Sequence, residues 1–176
     1  MNTFVLGASN SETSINQKWA YWLAKKLKVQ SIDLVDLNDY EMPIYKLQRE
    51  QEEGIPTLAQ DFYHKIGNAE LIIISFAEYN GSYTSAFKNV LDWVSRIDIK
   101  VFQDRKCIFT AVSPSRTGGK FVLEQACDRF PKMGANIIGS FHLPSFHHYF
   151  NEENGITDED TQIEFNEFLA SVTSQL

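Results

Sequence analysis

Side chains that donate hydrogen bonds are concentrated in a loop near the start of the chain. Four of them are close in sequence: Ser9, Ser11, Ser14 and Asn16. An apolar run at residues 4–6 breaks at Gly7, and an apolar pattern with a four-residue repeat starts at Ile15, which predicts a strand, a polar loop and a helix. Such a turn directs backbone N–H groups to the positive end of a helix dipole, which suits an anion such as phosphate. The alternative is that Ser14 or Thr13 only caps the helix.

Two further polar, glycine-containing loops follow strongly apolar runs. The run at 71–76 leads into a second loop, which contains Glu78, Tyr79, Asn80 and Gly81. The run at 107–112 leads into a third loop, which contains Ser113, Thr117, Gly118 and Gly119. We call residues 7–16 the first loop, residues 77–83 the second loop and residues 113–119 the third loop.

The elements that would position these loops alternate along the whole chain. Five strand patterns each precede a helical pattern, which predicts a single α/β domain over residues 1–176 with a parallel sheet and helices on both faces, in three layers. With strand order 2-1-3-4-5, ligands bind beyond the carboxyl ends of the strands, between the first and third. The three loops would then meet at one crevice.

Several local predictions accompany this fold. Residues 38–56 and 142–155 show no regular pattern and are expected to be irregular. Thr57 is expected to cap a helix that buries Leu58, Phe62 and Ile66. The run at 31–37 alternates polar and apolar residues, which is typical of a strand at or near a sheet edge.

The histidines of the 142–155 segment invite a metal site. Because His147 and His148 are adjacent, an extended stretch would direct them to opposite sides, which argues against a shared metal. We therefore expect no metal here, and a lid over the crevice or plain packing instead.

Composition limits the classes of partner and compartment. The chain has 176 residues, a formal net charge of −7 and 43% apolar residues, which describes an acidic globular protein and argues against nucleic-acid or anionic-membrane binding. It shows no signal peptide and no apolar run long enough to span a membrane. Cys107 and Cys127 lack metal-ligand spacing and are expected to be free thiols in a reducing compartment, so we predict a cytoplasmic protein.

Common nucleotide-binding fingerprints are missing from the chain. There is no G-x-x-x-x-G-K-[ST] motif and no G-x-G-x-x-G motif after the first strand. The first loop instead offers hydroxyl and amide donors with no lysine or arginine inside it, which suits a monophosphate held by neutral groups.

The three loops resemble those of the NAD(P)H-dependent FMN reductases of flavodoxin-like fold, which include quinone, azo and chromate reductases. In the G-S-x-R-x-x-S-x-N pattern of that family, Ala8 stands at the glycine and Ser11 at the arginine, while the remaining serines and the asparagine match. The second loop carries E-Y-N-G at 78–81 and is followed by K-N-x-x-D-W at 88–93. The third loop, S-P-S-R-T-G-G, is similar to the family pattern S-P-G-x-x-G-G.

This resemblance implies FMN as cofactor and NAD(P)H as co-substrate, with hydride passing through the flavin to a small-molecule electron acceptor and no catalytic side chain. It implies that the phosphate is held by Ser9, Ser11, Ser14, Asn16 and the amide of Ile15. It also implies that the isoalloxazine ring lies between two groups of residues: Glu78, Tyr79, Asn80 and Gly81 on one side, and Ser113, Thr117, Gly118 and Gly119 on the other. Because Ser11 stands where the family pattern has arginine, this chain lacks the charge-assisted contact that the arginine would make with the phosphate.

The resemblance further implies a homodimer or homotetramer, with the subunit contact at the helix that follows Gly81. Trp93 on that helix fits the core or this contact better than it fits a stack on the flavin. Arg116 could meet an NADPH phosphate or simply face solvent. The sequence is also compatible with two other functions: a flavodoxin-like FMN electron carrier, and a non-enzymatic homologue that has lost FMN.

Overall fold

The central element is a five-stranded sheet in which all neighbouring strands are parallel. The computed structural model describes residues 1–176. The strands are β1 (Asn2–Ala8), β2 (Ser31–Val35), β3 (Leu71–Phe76), β4 (Lys106–Val112) and β5 (Asn136–Leu143). Their order is β2-β1-β3-β4-β5, which confirms the predicted flavodoxin-like topology with its switch point between β1 and β3. The prediction that the second strand lies at a sheet edge is also confirmed.

Helices cover both faces of the sheet. They are α1 (Ile15–Lys26), α2 (Leu47–Glu53), α3 (Thr57–Asn68), α4 (Ser85–Val94), α5 (Lys120–Arg129), α6 (Phe146–Tyr149) and α7 (Glu159–Thr173). Two short 3₁₀ turns lie at Leu37–Tyr40 and Phe130–Met133, and a small antiparallel hairpin pairs β6 (Phe150–Asn151) with β7 (Gly155–Ile156). The residues of α1 and α7 pack on one face, and those of α3, α4 and α5 pack on the other.

Burial on both faces explains the unbroken apolar run of β3. Alternate residues of a strand face opposite sides of a sheet, and all six residues of β3 are buried. Ile72 and Ile74 pack in the core beneath α3, α4 and α5, whereas Leu71 and Ile73 pack in the core beneath α1 and α7. A central parallel strand therefore requires apolar side chains at nearly every position.

The prediction that residues 38–56 and 142–155 are irregular is wrong in part. The first segment contains most of a 3₁₀ turn and all of α2, which has no buried residue and therefore lacks the apolar period that marks most helices. Gly54, with φ of +79°, ends α2 in a conformation that favours glycine. The second segment contains the end of β5, then α6 and the hairpin.

Helix α3 begins at Thr57, but Thr57 does not cap it. Pro56 holds the cap position and no side chain bonds the first turn. Phe62 and Ile66 are buried as predicted, whereas Leu58 is 39% exposed and Ala59 is buried in its place. Both sets fit the helical period, so the pattern alone did not distinguish them.

Helix α1 packs against the end of β1 at Gly7. A Cβ atom at Gly7 would lie 2.3 Å from the backbone nitrogen of Gln17 and 2.5 Å from its Cα atom. The Gln17 side chain accepts a hydrogen bond from the Gly7 N–H and donates one to the Val35 carbonyl at 2.9 Å. One glutamine thus ties the first turn of α1 to β1 and to the end of β2.

Asn16 fastens the same turn to the other strands. Its side chain is buried, with Oδ1 accepting from the Ser75 hydroxyl at 2.7 Å and from the Val112 N–H at 3.1 Å. Its Nδ2 donates to the Val112 carbonyl at 3.1 Å. Since Ser75 belongs to β3 and Val112 to β4, the start of α1 is fixed across the carboxyl ends of the central strands.

Replacing Gly7 by alanine should destabilise the protein by about 2–3 kcal/mol, because the new methyl group would meet the backbone of α1. The measurement is urea unfolding, with a lower midpoint and an unchanged slope. Gly67→Ala is the matched control, since a Cβ there meets only the end of the Gln103 side chain. Equal unfolding midpoints for the two variants would contradict this account of the junction.

Asn16→Ala should cost about 2–4 kcal/mol of unfolding free energy, because it leaves buried groups of Ser75 and Val112 without a partner. The exposed Asn10, in the same loop, supplies the control: Asn10→Ala should change stability by no more than about 0.5 kcal/mol. A loss below about 1 kcal/mol for Asn16→Ala, measured by the same urea titration, would show that the bonds to the sheet are not needed.

Candidate functional site

A cavity of about 250 Å³ lies where the three loops meet. Eight of the residues predicted to form the site line it: Ser9, Ser11, Ser14, Ile15, Asn16, Glu78, Tyr79 and Ser113. The convergence of the three loops is thus confirmed. Five other predicted residues do not line the cavity: Asn80, Gly81, Thr117, Gly118 and Gly119.

The serines of the first loop are held in place by backbone N–H groups. The Ser9 hydroxyl is buried and accepts from the Ser11 N–H at 3.2 Å. The Ser14 hydroxyl accepts from the Gln17 N–H at 3.2 Å, so Ser14 does cap α1. Because each hydroxyl oxygen accepts one bond, its proton remains available to donate to a ligand in the cavity.

Two backbone donors at the start of α1 have no partner within the chain. The N–H groups of Ile15 and Asn16 donate to no protein acceptor, and both residues line the cavity. They lie at the positive end of a twelve-residue helix, whose dipole favours a negative charge. No lysine or arginine lines this cavity. The arrangement therefore fits a phosphate group held by neutral donors.

The one carboxylate that lines the cavity is engaged elsewhere. Oε2 of Glu78 accepts a hydrogen bond from the Val122 N–H at 3.1 Å, in the first turn of α5. The negative charge of Glu78 therefore lies near the positive end of the α5 dipole. Its side chain fixes the second loop to α5.

Residues 79–82 form a tight turn in the second loop. Tyr79 and Ser82 exchange backbone hydrogen bonds of 2.9 and 3.1 Å, and Asn80 and Gly81 both have positive φ, which describes a type I′ turn. A Cβ at Gly81 would meet nothing within 4 Å, so its glycine serves the backbone conformation and leaves open space beside it. The predicted contact of Gly81 with a flat ring stays a prediction.

Gln125 anchors this turn and was not identified from the sequence. Its Nε2 donates to the Gly81 carbonyl at 3.1 Å, and its Oε1 accepts from the Ser82 hydroxyl at 3.0 Å. The residue lies on the exposed side of α5, where glutamine is common, so nothing in the sequence distinguished it.

The glycines of the third loop pack against the chain itself. A Cβ at Gly118 would lie 2.7 Å from the Pro144 nitrogen, and one at Gly119 would lie 2.8 Å from the Ala111 Cβ. Thr117 is exposed and bonds the Ser115 hydroxyl at 2.8 Å. The predicted contact of these three residues with a flavin ring stays a prediction.

His147 lines the cavity. The sequence did not single it out as a binding residue, although a lid over the crevice was one of the two roles expected for its segment. The expectation of an extended stretch is wrong, because His147 and His148 lie on the single turn of α6. Phe146 and Phe150 are both buried, and their spacing of four residues fits one helical turn. That spacing is the feature of the sequence that could have predicted α6.

The K-N-x-x-D-W motif has a structural role in α4. Trp93 is completely buried and donates from Nε1 to the Pro43 carbonyl at 2.7 Å. Asn89 accepts from the Tyr45 N–H and donates to the Met42 carbonyl, both at 2.9 Å. Of the three roles considered for Trp93, core packing is confirmed.

Three further expectations concern the rest of the chain. Cys107 and Cys127 are free thiols, as expected, and burial raises the pKa of both. Arg116 is exposed. None of the helices combines the length and the apolar character that crossing a bilayer requires.

Comparison with known proteins gives relatives along most of the chain. An uncharacterised protein of Mycoplasma pneumoniae is 29% identical over 159 residues, which cover 88% of this chain and 93% of that protein. A quinone reductase of Escherichia coli is 29% identical over 79 residues, 45% of this chain and 42% of the relative.

A solved structure and a family model agree with these relatives. The flavoenzyme NAD(P)H:(acceptor) oxidoreductase FerB of Paracoccus denitrificans superposes with a TM-score of 0.77 at 18% identity, over 98% of this chain and 95% of that one. The model of the family described as NADPH-dependent FMN reductase matches residues 1–148. The chain belongs to the NADPH-dependent FMN reductase family, whose cofactor is FMN and whose co-substrate is NAD(P)H.

Proposed function

We propose that this enzyme passes electrons from NAD(P)H through FMN to a small, flat acceptor, with quinones as the favoured class. Azo and nitro compounds, metal oxyanions and free flavin are the other acceptors to test. The observation that supports this proposal most directly is the cavity at the switch point, which contains two unpartnered N–H groups at the start of α1. The relatedness to a quinone reductase supports the choice of acceptor.

The first loop would hold the phosphate of FMN. The N–H groups of Ile15 and Asn16 and the hydroxyl protons of Ser9 and Ser14 supply donors without positive charge. Ser11 adds a hydroxyl at the position where the family pattern has arginine. The Asn16 side chain acts indirectly, because its bonds to the sheet hold the first turn of α1 in place.

The second and third loops would hold the isoalloxazine ring. When bound, FMN supplies the chemistry, since it accepts a hydride and passes electrons to an acceptor. The open space beside Gly81 admits a flat ring, and the turn is kept in place by Gln125. Ser113 lines the cavity from the third loop, and its backbone carbonyl accepts from the Phe146 N–H at 3.0 Å. We assign no general acid or base.

We further propose a homodimer or homotetramer of single-domain chains, residues 1–176 each, in the cytoplasm. Tyr79, in the second loop, is 52% exposed, and Phe121, on α5, is 54% exposed. Exposed apolar side chains of this size are often covered by a partner, which supports a second subunit near the site. Free thiols and the use of NAD(P)H suit a reducing compartment.

The reductase activity is tested by mixing the FMN-loaded protein with NADPH or NADH without oxygen. The visible flavin absorbance should bleach rapidly, and a quinone added next should restore it within seconds. Bleaching is the direct consequence of hydride transfer to the bound flavin.

The other outcomes separate the competing functions. FMN that binds and resists bleaching by both nucleotides would indicate an electron carrier that needs a protein donor. A protein that no FMN concentration saturates would indicate a homologue without the cofactor. Bleaching without recovery on adding quinone would overturn the proposed acceptor class alone.

Restoring the family arginine gives a second test. Ser11→Arg should tighten FMN binding by about ten-fold at low ionic strength, because it adds a charge-assisted bond to the phosphate, and added salt should reduce the gain. Ser11→Gln is the control, with similar length and no charge. Equal affinities for the two variants, measured by quenching of flavin fluorescence, would place the phosphate away from residue 11.

A further inference from the structure

The cavity described above is lined by no lysine or arginine, and His147 is the one imidazole in its lining. Apart from His147, the lining residues are apolar, neutral polar or acidic. We propose that protonated His147 binds the phosphate end of FMN and supplies the positive charge that the first loop lacks at Ser11. This proposal rests on FMN being the cofactor of the family.

The packing of α6 and the following hairpin places His147 near the start of α1. Phe150, directly after α6, lies with its ring centroid 5.3 Å from that of Trp19 and 5.1 Å from that of Trp22. Trp19 is one helical turn from Ile15, whose N–H is one of the unpartnered donors. The same cavity is lined by Ile15 and by His147. The cavity therefore holds the imidazole of His147 together with the unpartnered N–H of Ile15.

The backbone that carries His147 is held by the third loop. The N–H of Ser145 donates to the Ser115 carbonyl at 2.9 Å, and the N–H of Phe146 donates to the Ser113 carbonyl at 3.0 Å. The Phe146 ring is buried and stacks on Phe150 at 4.9 Å. The His147 side chain is exposed and makes no hydrogen bond within the chain, so its ring is free to bind a ligand on a fixed support.

His148 provides an internal comparison. It lies on the same turn and is exposed, but its side chain does not line the cavity. Its backbone carbonyl accepts from the Thr157 hydroxyl at 3.2 Å, so its main chain is as well fixed as that of its neighbour. The two histidines therefore differ in access to the cavity rather than in chemistry.

Other charged groups surround the cavity. Glu78 and Tyr79 face it from the second loop, Arg116 is exposed on the third loop, and His148 and Tyr149 share the turn of α6. Lys18 of α1 lines an adjoining pocket with Ser9, Ser11 and Ser14, and it pairs with Glu152 of the segment after α6 at 3.8 Å; Glu12 and Asp36 line the same pocket. Carboxylates, tyrosine, lysine and arginine ordinarily keep one charge state between about pH 6 and 8, whereas histidine ordinarily changes charge in that range.

The expected pH dependence has a definite sign. A protonated imidazole that gains an anionic partner holds its proton more tightly, so its contribution to binding is present at low pH and is lost as pH rises. The phosphate of FMN also loses a proton near pH ~6, which by itself favours binding at higher pH. The ratio of variant to wild-type affinity at each pH removes this effect of the ligand.

The test measures Kd for FMN by fluorescence quenching, in a buffer without phosphate, at about pH 6 and about pH 8.5. His147→Gln should weaken FMN binding by about ten-fold at the lower pH and by less than about two-fold at the higher pH. Riboflavin, which lacks the phosphate, should bind wild type and variant equally at both pH values. His148→Gln should match wild type throughout.

A charge-preserving variant separates charge from shape. His147→Lys should keep wild-type affinity at the lower pH and bind FMN more tightly than wild type at the higher pH, since lysine stays protonated there. Both substitutions are at an exposed side chain, so unfolding midpoints should stay unchanged.

Three results would overturn the proposal. One is a His147→Gln variant that binds FMN with wild-type affinity at both pH values. Another is an equal loss of FMN affinity at both pH values, which would indicate that the shape of the side chain matters and its charge does not. The third is an equal loss for riboflavin, which would place His147 against the ring. A wild-type protein that binds riboflavin and FMN equally weakly at both pH values would instead contradict the FMN assignment, and this proposal would fall with it.

Discussion

The structure depends on how the first turn of α1 is fixed to the sheet. Gly7 allows the helix backbone to approach β1, and Gln17 and Asn16 bond that turn to three further strands. Because these side chains bond the helix to the sheet, the donors that we propose for a ligand are backbone N–H groups and serine hydroxyl protons. The proposed anion site therefore follows from this packing.

A neutral site suits a protein with a net charge of −7. Long-range electrostatics repel an anionic cofactor, so binding has to come from short, directed hydrogen bonds and from a helix dipole worth about 0.3–1 kcal/mol at an exposed position. The second and third loops are fixed independently, through Glu78 to α5 and through residues 145 and 146 to the segment after β5. Each wall of the cavity thus has its own support.

The sequence was most informative where local patterns coincide with burial. The apolar run of β3, the loops rich in serine and glycine, and the alternation of strands and helices predicted the fold and eight of the residues that line the cavity. Helix α2 was missed because a fully exposed helix has no apolar period. Gln125 was missed because a contact between distant segments brings it to the second loop, and glutamine is common on an exposed helix face. His147 was not singled out as a binding residue, because the lid expected for its segment named no contact.

The central claim is that the N–H groups of Ile15 and Asn16 hold the phosphate. It is tested most directly by nuclear magnetic resonance of the ¹⁵N-labelled protein during titration with FMN. The account predicts large downfield shifts of these two amide protons, as expected when free N–H groups become donors to an anionic oxygen, and much smaller shifts at the same positions with riboflavin. Saturable FMN binding that leaves both amide protons unmoved would contradict it.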